Sequence, residues 1–177
     1  LLAVSTVAVV YAFVTRDFSV RYVAENSNVA MPRVYTWVAL YAGNAGSLLY
    51  LALVVSVLAA LAVFHLRKRQ PHSAPYAAGL MGIMLTFFLG VMVFLADPLE
   101  RLPLTPLDGQ GINPLLVHFG MFIHPPLQMM GLVSVIIPFS IAMGALLAGR
   151  GGRDEWVDVG RTWAMVSWLI MTAGLLL

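Results

Sequence analysis

Long uncharged runs alternate with short polar stretches along the whole chain. Runs 46–64 and 76–96 carry no charge, and each is close to the roughly 20 residues a helix needs to cross about 30 Å of hydrocarbon. A third run, 125–148, is interrupted by Pro138, which predicts a kink. Runs 1–15 and 162–177 are shorter and read as truncated spans, because the chain opens inside one and stops inside the other. The pattern predicts an all-α fold: a polytopic transmembrane helical bundle with spans near 1–15, 46–64, 76–96, 125–148 and 162–177. Residues 1–177 are then one integral membrane segment of a longer protein.

The polar stretches differ in kind. Segment 16–45 includes DFSVRYVAENSN, with β-favouring residues ahead of an Asn/Ser cluster, and ends in GNAGS, where small residues would let backbone, a helix or a flat ligand come close. Segments 65–75 and 149–161 read as charged turns. Segment 97–124 is a proline-rich loop in which Asn113 and Pro114 predict a short outer-surface helix, with Leu115, Leu116, Phe119 and Phe122 on its apolar face.

Composition agrees: 60% hydrophobic, 10% charged and a mean hydropathy of +0.89, against about 25% charged in soluble domains. A net charge of +2 gives no reason to expect nucleic acid, and the absence of cysteine excludes disulfides, zinc–thiolate sites and a cysteine nucleophile within these residues. The distribution of charge says more. Arg67, Lys68 and Arg69 lie in one short turn and Arg150, Arg153 and Arg161 in the other, while the two longer segments hold only Arg16, Arg21, Arg33 and Arg101. The positive-inside rule then puts the short turns in the cytoplasm and segments 16–45 and 97–124 outside, periplasmic in a Gram-negative cell. No charged residue falls inside a run, which counts against an ion-coupled pump.

Candidate chemistry concentrates in NPLLVHFGMFIHPPLQMMG, 113–131. Proline suits the first turn of a helix, so Pro125 and Pro126 place His124 at or just outside a helix start. The positive end of the helix dipole favours a neutral imidazole there, leaving a ring nitrogen for a metal at the membrane edge. The plainer reading is a polar residue hydrogen-bonded to interface water. His118, six residues earlier in a proline-rich loop, reads as an interface residue rather than a second ligand, and His65 and His72 as solvated. Trp37, Trp156, Trp163 and Trp168 read as interfacial anchors, and Met129 and Met130 as packing.

The same residues carry a resemblance. NPLLVHFGMFIHPPLQMMG, IAMGALLAGR at 141–150 and RTWAMVSWLIMTAG at 161–174 resemble the central part of the CcmF/NrfE family, the haem lyases of bacterial cytochrome c maturation and their nitrite-reductase relatives. FVTRDFSVRYVAENSN at 13–28 and WVALYAGNAGSLLYL at 37–51 resemble the same family in the same order. The resemblance implies a multi-pass protein of the bacterial cytoplasmic (inner) membrane. It makes His124 an axial ligand of haem iron on the periplasmic side, with Asn113, His118, Pro125 and Pro126 as neighbours.

It also implies delivered haem b as cargo, with a second, permanent haem b held outside these residues. The implied partners are the haem chaperone CcmE, a CcmH-type apocytochrome-handling subunit, apocytochrome c and the lipid bilayer. The family's tryptophan-rich segment would follow Leu177. The chain departs from the family where Asn44 and Ala45 stand for a histidine and an acid, and where His118 stands for an acid. No catalytic residue is named, and the isolated segment is expected to be inactive. The alternative is a non-catalytic membrane scaffold or a permease subunit that docks partners.

Overall fold

The computed structural model describes residues 1–152 and 155–176. It is all-helical: α1 (Leu2–Thr15), α2 (Arg21–Asn26), α3 (Thr36–Ala39), α4 (Asn44–Arg69), α5 (Ala74–Leu95), α6 (His124–Ser134), α7 (Ile136–Leu147) and α8 (Glu155–Leu176), with 3₁₀ turns at Arg33–Tyr35, Pro114–Leu116 and Phe119–Phe122. Among the described residues the only β pairing is an isolated antiparallel bridge, Val20 to Arg101. Among the described residues four stretches are long and apolar enough to cross a membrane: Asn44–Arg69, Ala74–Leu95, Phe119–Leu147 and Glu155–Leu176. Helix α1 is apolar but shorter.

Packing divides the chain into two units, the first comprising Leu1–Leu53 and Leu89–Ile123, the second Val54–Phe88 and the chain from His124 onward. In the first, the β-favouring stretch forms the short helix α2, because Phe18, Tyr22 and Val23 bury together against Val9, Phe13 and Leu49. Tertiary burial overrides propensity there. Helix α1 ends at Arg16, whose φ of 56° would be strained without compensation. Its guanidinium supplies that compensation by donating to the carbonyls of Val29 and Met31.

Tyr22 organises the first unit. Its hydroxyl accepts from the Gly43 N–H at 3.0 Å and faces the carbonyls of Ala39, Leu40 and Gly43 at 3.1–3.3 Å, joining α2 to the junction of α3 and α4. The GNAGS glycines make room for this phenol. A Cβ at Gly43 would sit 2.9 Å from the Tyr22 ring, and one at Gly46 would collide with the Leu40 carbonyl and the Tyr22 hydroxyl. Burial pushes the Tyr22 phenol up to about 12.

In the second unit Ala62, Leu66, Met81, Ile137 and Ile141 form the core. Helix α4 runs beyond 64, through the HLRKR sequence expected as a turn, because Leu66 is fully buried and no helix breaker comes before Pro71. Helix α8 likewise begins at Glu155 rather than 162. Glu155 and Asp158 in its first turn suit the positive end of the helix dipole, so part of the charged turn is helical. Run 125–148 becomes two helices. Pro138 has no N–H to bond the Ser134 carbonyl, and the helix breaks at Val135 between them.

Candidate functional site

His124 is the first residue of α6, followed directly by Pro125 and Pro126. The prolines cost the helix nothing there, since first-turn N–H groups have no intrahelical acceptor. The imidazole is half-buried, and its Nδ1 lies 2.6 Å from the carbonyl oxygen of Gly174 on α8. A carbonyl only accepts, so Nδ1 carries the proton and donates. In the neutral ring Nε2 then bears the lone pair. A backbone carbonyl on one ring nitrogen, with the other free to bind, is the arrangement by which proteins orient a metal-binding histidine.

Two glycines let α6 and α8 come close enough for that bond. A Cβ on Gly174 would sit 2.6 Å from the Gln128 backbone nitrogen, and one on Gly131 would sit 2.5 Å from the Met171 backbone. Small residues at such contacts are how helices pack tightly in lipid.

The other candidates have different jobs. Asn113 caps the turn Pro114–Leu116, its Oδ1 accepting from the Leu115 N–H at 3.0 Å. His118 is extended and caps the next turn, Phe119–Phe122, where its Nδ1 accepts from the Gly120 N–H at 3.0 Å. The expected single surface helix is thus two 3₁₀ turns, broken where His118 leaves the helical region. With Nδ1 accepting, the neutral His118 ring carries its proton on Nε2, the reverse of His124.

The first unit also holds Phe122 and the residues ahead of it. Tyr41 donates to the Met121 carbonyl at 2.6 Å, and Tyr35 packs on Phe122 with ring centroids 5.5 Å apart. Burial, and to a lesser degree Tyr50, pushes the Tyr41 phenol up to about 12. Tyr22, Tyr41 and Gly174 all escaped the reading from sequence. The GNAGS cluster signalled a close approach, but nothing local identified Tyr22 as the group approaching.

Within the second unit the ends of the helices are distinguishable. Gln70, after α4, donates from Nε2 to the Glu155 carbonyl at 2.6 Å, so the two basic turns share one end. Gly174 stands nineteen residues farther along α8 than Glu155, about 28 Å at 1.5 Å per residue. His124 is separated from the basic turns by about the thickness of a bilayer core.

Among the described residues no group of three or more His, Cys, Asp or Glu side chains could cage a metal ion. What the second unit offers iron is one oriented imidazole. That fits a porphyrin, which brings four nitrogens of its own and needs only axial ligands.

These features define a polytopic helical membrane protein with a single oriented histidine at one end of its α6–α8 pair. The chain is 38% identical over 169 residues to the cytochrome c-type biogenesis protein CcmF of Pseudomonas aeruginosa, covering 94% of this chain and 25% of that protein. It is 37% identical over 170 residues to CcmF of Escherichia coli, covering 95% and 26%, and 30% identical over 167 residues to NrfE of Haemophilus influenzae, covering 94% and 26%. The chain belongs to the CcmF/NrfE family of cytochrome c-type biogenesis proteins, and it spans about a quarter of the length of the curated relatives it matches. No protein-family model matches it, and no solved structure does.

Proposed function

We propose that this chain is the part of a bacterial haem lyase that holds haem on the outer face of the cytoplasmic membrane for covalent attachment to apocytochrome c. The observation that carries the reading is the hydrogen bond from His124 Nδ1 to the Gly174 carbonyl, which leaves Nε2 as the ligating nitrogen. The names of the relatives, cytochrome c-type biogenesis proteins, support the general role. The basic turns support the orientation, since they share the end remote from His124 and the positive-inside rule assigns that end to the cytoplasm.

Haem delivered by the chaperone CcmE is the substrate, and its vinyl groups supply the bond-forming chemistry with the apocytochrome thiols. The protein's share is positional. His124 would hold the haem iron through Nε2, the Gly174 carbonyl holds the imidazole in its tautomer and plane, and Pro125 and Pro126 stiffen the first turn of α6 on which the ring is carried. The permanent haem b is assigned to the rest of the full-length protein, and a CcmH-type subunit and apocytochrome c are the proposed partners.

The test is His124→Ala in the full-length lyase, with covalent haem on a reporter cytochrome c as the readout. Haem staining falls sharply while the lyase remains inserted in the membrane, and added imidazole restores part of it. Undiminished staining with a well-expressed variant removes His124 from the site and leaves the scaffold reading.

A further inference from the structure

We propose that the groove between α4 and α5 is a binding site for one anionic phospholipid, its acyl chain between the helices and its phosphate on Arg67. The site is independent of His124 and of the haem reading. The groove encloses about 450 Å³ between Ala59, Ala60 and Val63 of α4 and Ala78, Met81 and Gly82 of α5. Ala59, Ala60, Ala78 and Gly82 leave it wide between the larger Phe64, Met81 and Leu85, and a Cβ added at Gly82 would meet nothing within 4 Å, so there is open width for an alkyl chain.

Arg67 lines this groove and also a second cleft of about 230 Å³ that shares Val63 and Ala78 and ends at Pro71 and Pro75. An elongated apolar slot therefore opens past a guanidinium at the basic end of the unit.

The charge around that opening selects the occupant. Segment 54–88 contains Arg67, Lys68 and Arg69 and no acid, and among the described residues no carboxylate forms an ion pair with Arg67. Lys68, next to Arg67 in sequence, lies over the exposed ring of Phe64, another residue lining the groove, at 4.5 Å. A zwitterionic headgroup sets its own cation beside its phosphate and brings no net charge to this cluster, whereas an anionic headgroup brings a net negative charge. Guanidinium is the side chain best shaped to hold two phosphate oxygens, and basic pockets between transmembrane helices are known anionic-lipid sites.

The experiment uses the delipidated full-length protein in detergent, titrated separately with phosphatidylglycerol and with phosphatidylcholine of the same acyl chains. Retained lipid is measured by mass spectrometry and unfolding by thermal scan. The wild-type protein retains phosphatidylglycerol about fivefold better, the effect expected of one basic side chain at an anionic surface. Arg67→Gln brings the two lipids level, and Gly82→Leu reduces retention of both without moving the lipid-free Tm. Equal retention of both lipids by the wild type, or a preference that survives Arg67→Gln, overturns the proposal. So does a lower lipid-free Tm for Gly82→Leu with unchanged lipid retention, because the groove is then filled by protein.

Discussion

His124 donates from Nδ1 to the Gly174 carbonyl over 2.6 Å, and this contact ties the first residue of α6 to the C-terminal turn of α8. The carbonyl sets which nitrogen is bare, and the α6–α8 packing sets where that nitrogen points. Both depend on a residue with no side chain.

Gly174→Ala tests this dependence without touching the imidazole. The added methyl would meet the Gln128 backbone at 2.6 Å, and backbone cannot swing aside as a side chain can. Overpacking of this kind costs about 1–3 kcal/mol. The variant is expected to show a lower Tm and reduced haem attachment to the reporter, whereas Gly79→Ala, inside α5 with nothing within 4 Å, lowers neither.

The two imidazoles of the 113–131 segment are expected to be opposite tautomers. Nitrogen-15 spectra of the neutral rings should show Nδ1–H for His124 and Nε2–H for His118, following their partners Gly174 O and Gly120 N–H. His118→Ala removes a cap worth about 1 kcal/mol and leaves haem attachment nearly intact, and His118→Asn restores the cap. A loss of attachment as large as that of His124→Ala would make His118 part of the site.

Stability at high pH should report the phenols of the first unit. The Tyr22 phenol ionises near 10 in the unfolded chain but is pushed to about 12 by burial in the folded one. Above pH 10 the unfolded state therefore binds fewer protons than the folded state. The contribution of Tyr22 is complete below pH 10 and is lost as pH rises to about 12, with Tyr41 acting in the same sense. Tyr22→Phe should flatten the fall of Tm with pH over that window. It should also lower Tm at neutral pH by leaving the Gly43 N–H unpaired, a loss of about 1–3 kcal/mol.

Topology can be read with single cysteines, since the 177 residues contain none. His72→Cys, in the turn after α4, should react only with a thiol reagent that reaches the cytoplasm. Leu104→Cys, exposed in the loop after α5, should react from outside. Labelling of both from one side, or of each from the side opposite to that expected, would overturn the proposed orientation.

The helical architecture could be read from sequence wherever a local rule governed it. Pro125 and Pro126 marked the start of α6, Pro138 marked the break between α6 and α7, and uncharged length marked the crossings. Errors arose where charge was equated with a turn. The residues of HLRKR are polar at the tip, but Leu66 anchors them in helix, and Glu155 and Asp158 begin α8 because acids favour a helix N-terminus. Half of the candidate site was legible for the same reason. His124 could be found from its neighbours, whereas the carbonyl that orients it is fifty residues away and is contributed by backbone, which leaves no side-chain signature.

That separation also orders the site in time. Ribosomes add about 5–20 residues per second, so the fifty residues between His124 and Gly174 take about 2.5–10 s to make. Through that interval α6 can already lie in the membrane with its histidine free to rotate and to carry its proton on either nitrogen. Insertion of α8 ends that freedom, and the imidazole takes its oriented tautomer only once the later helix has docked.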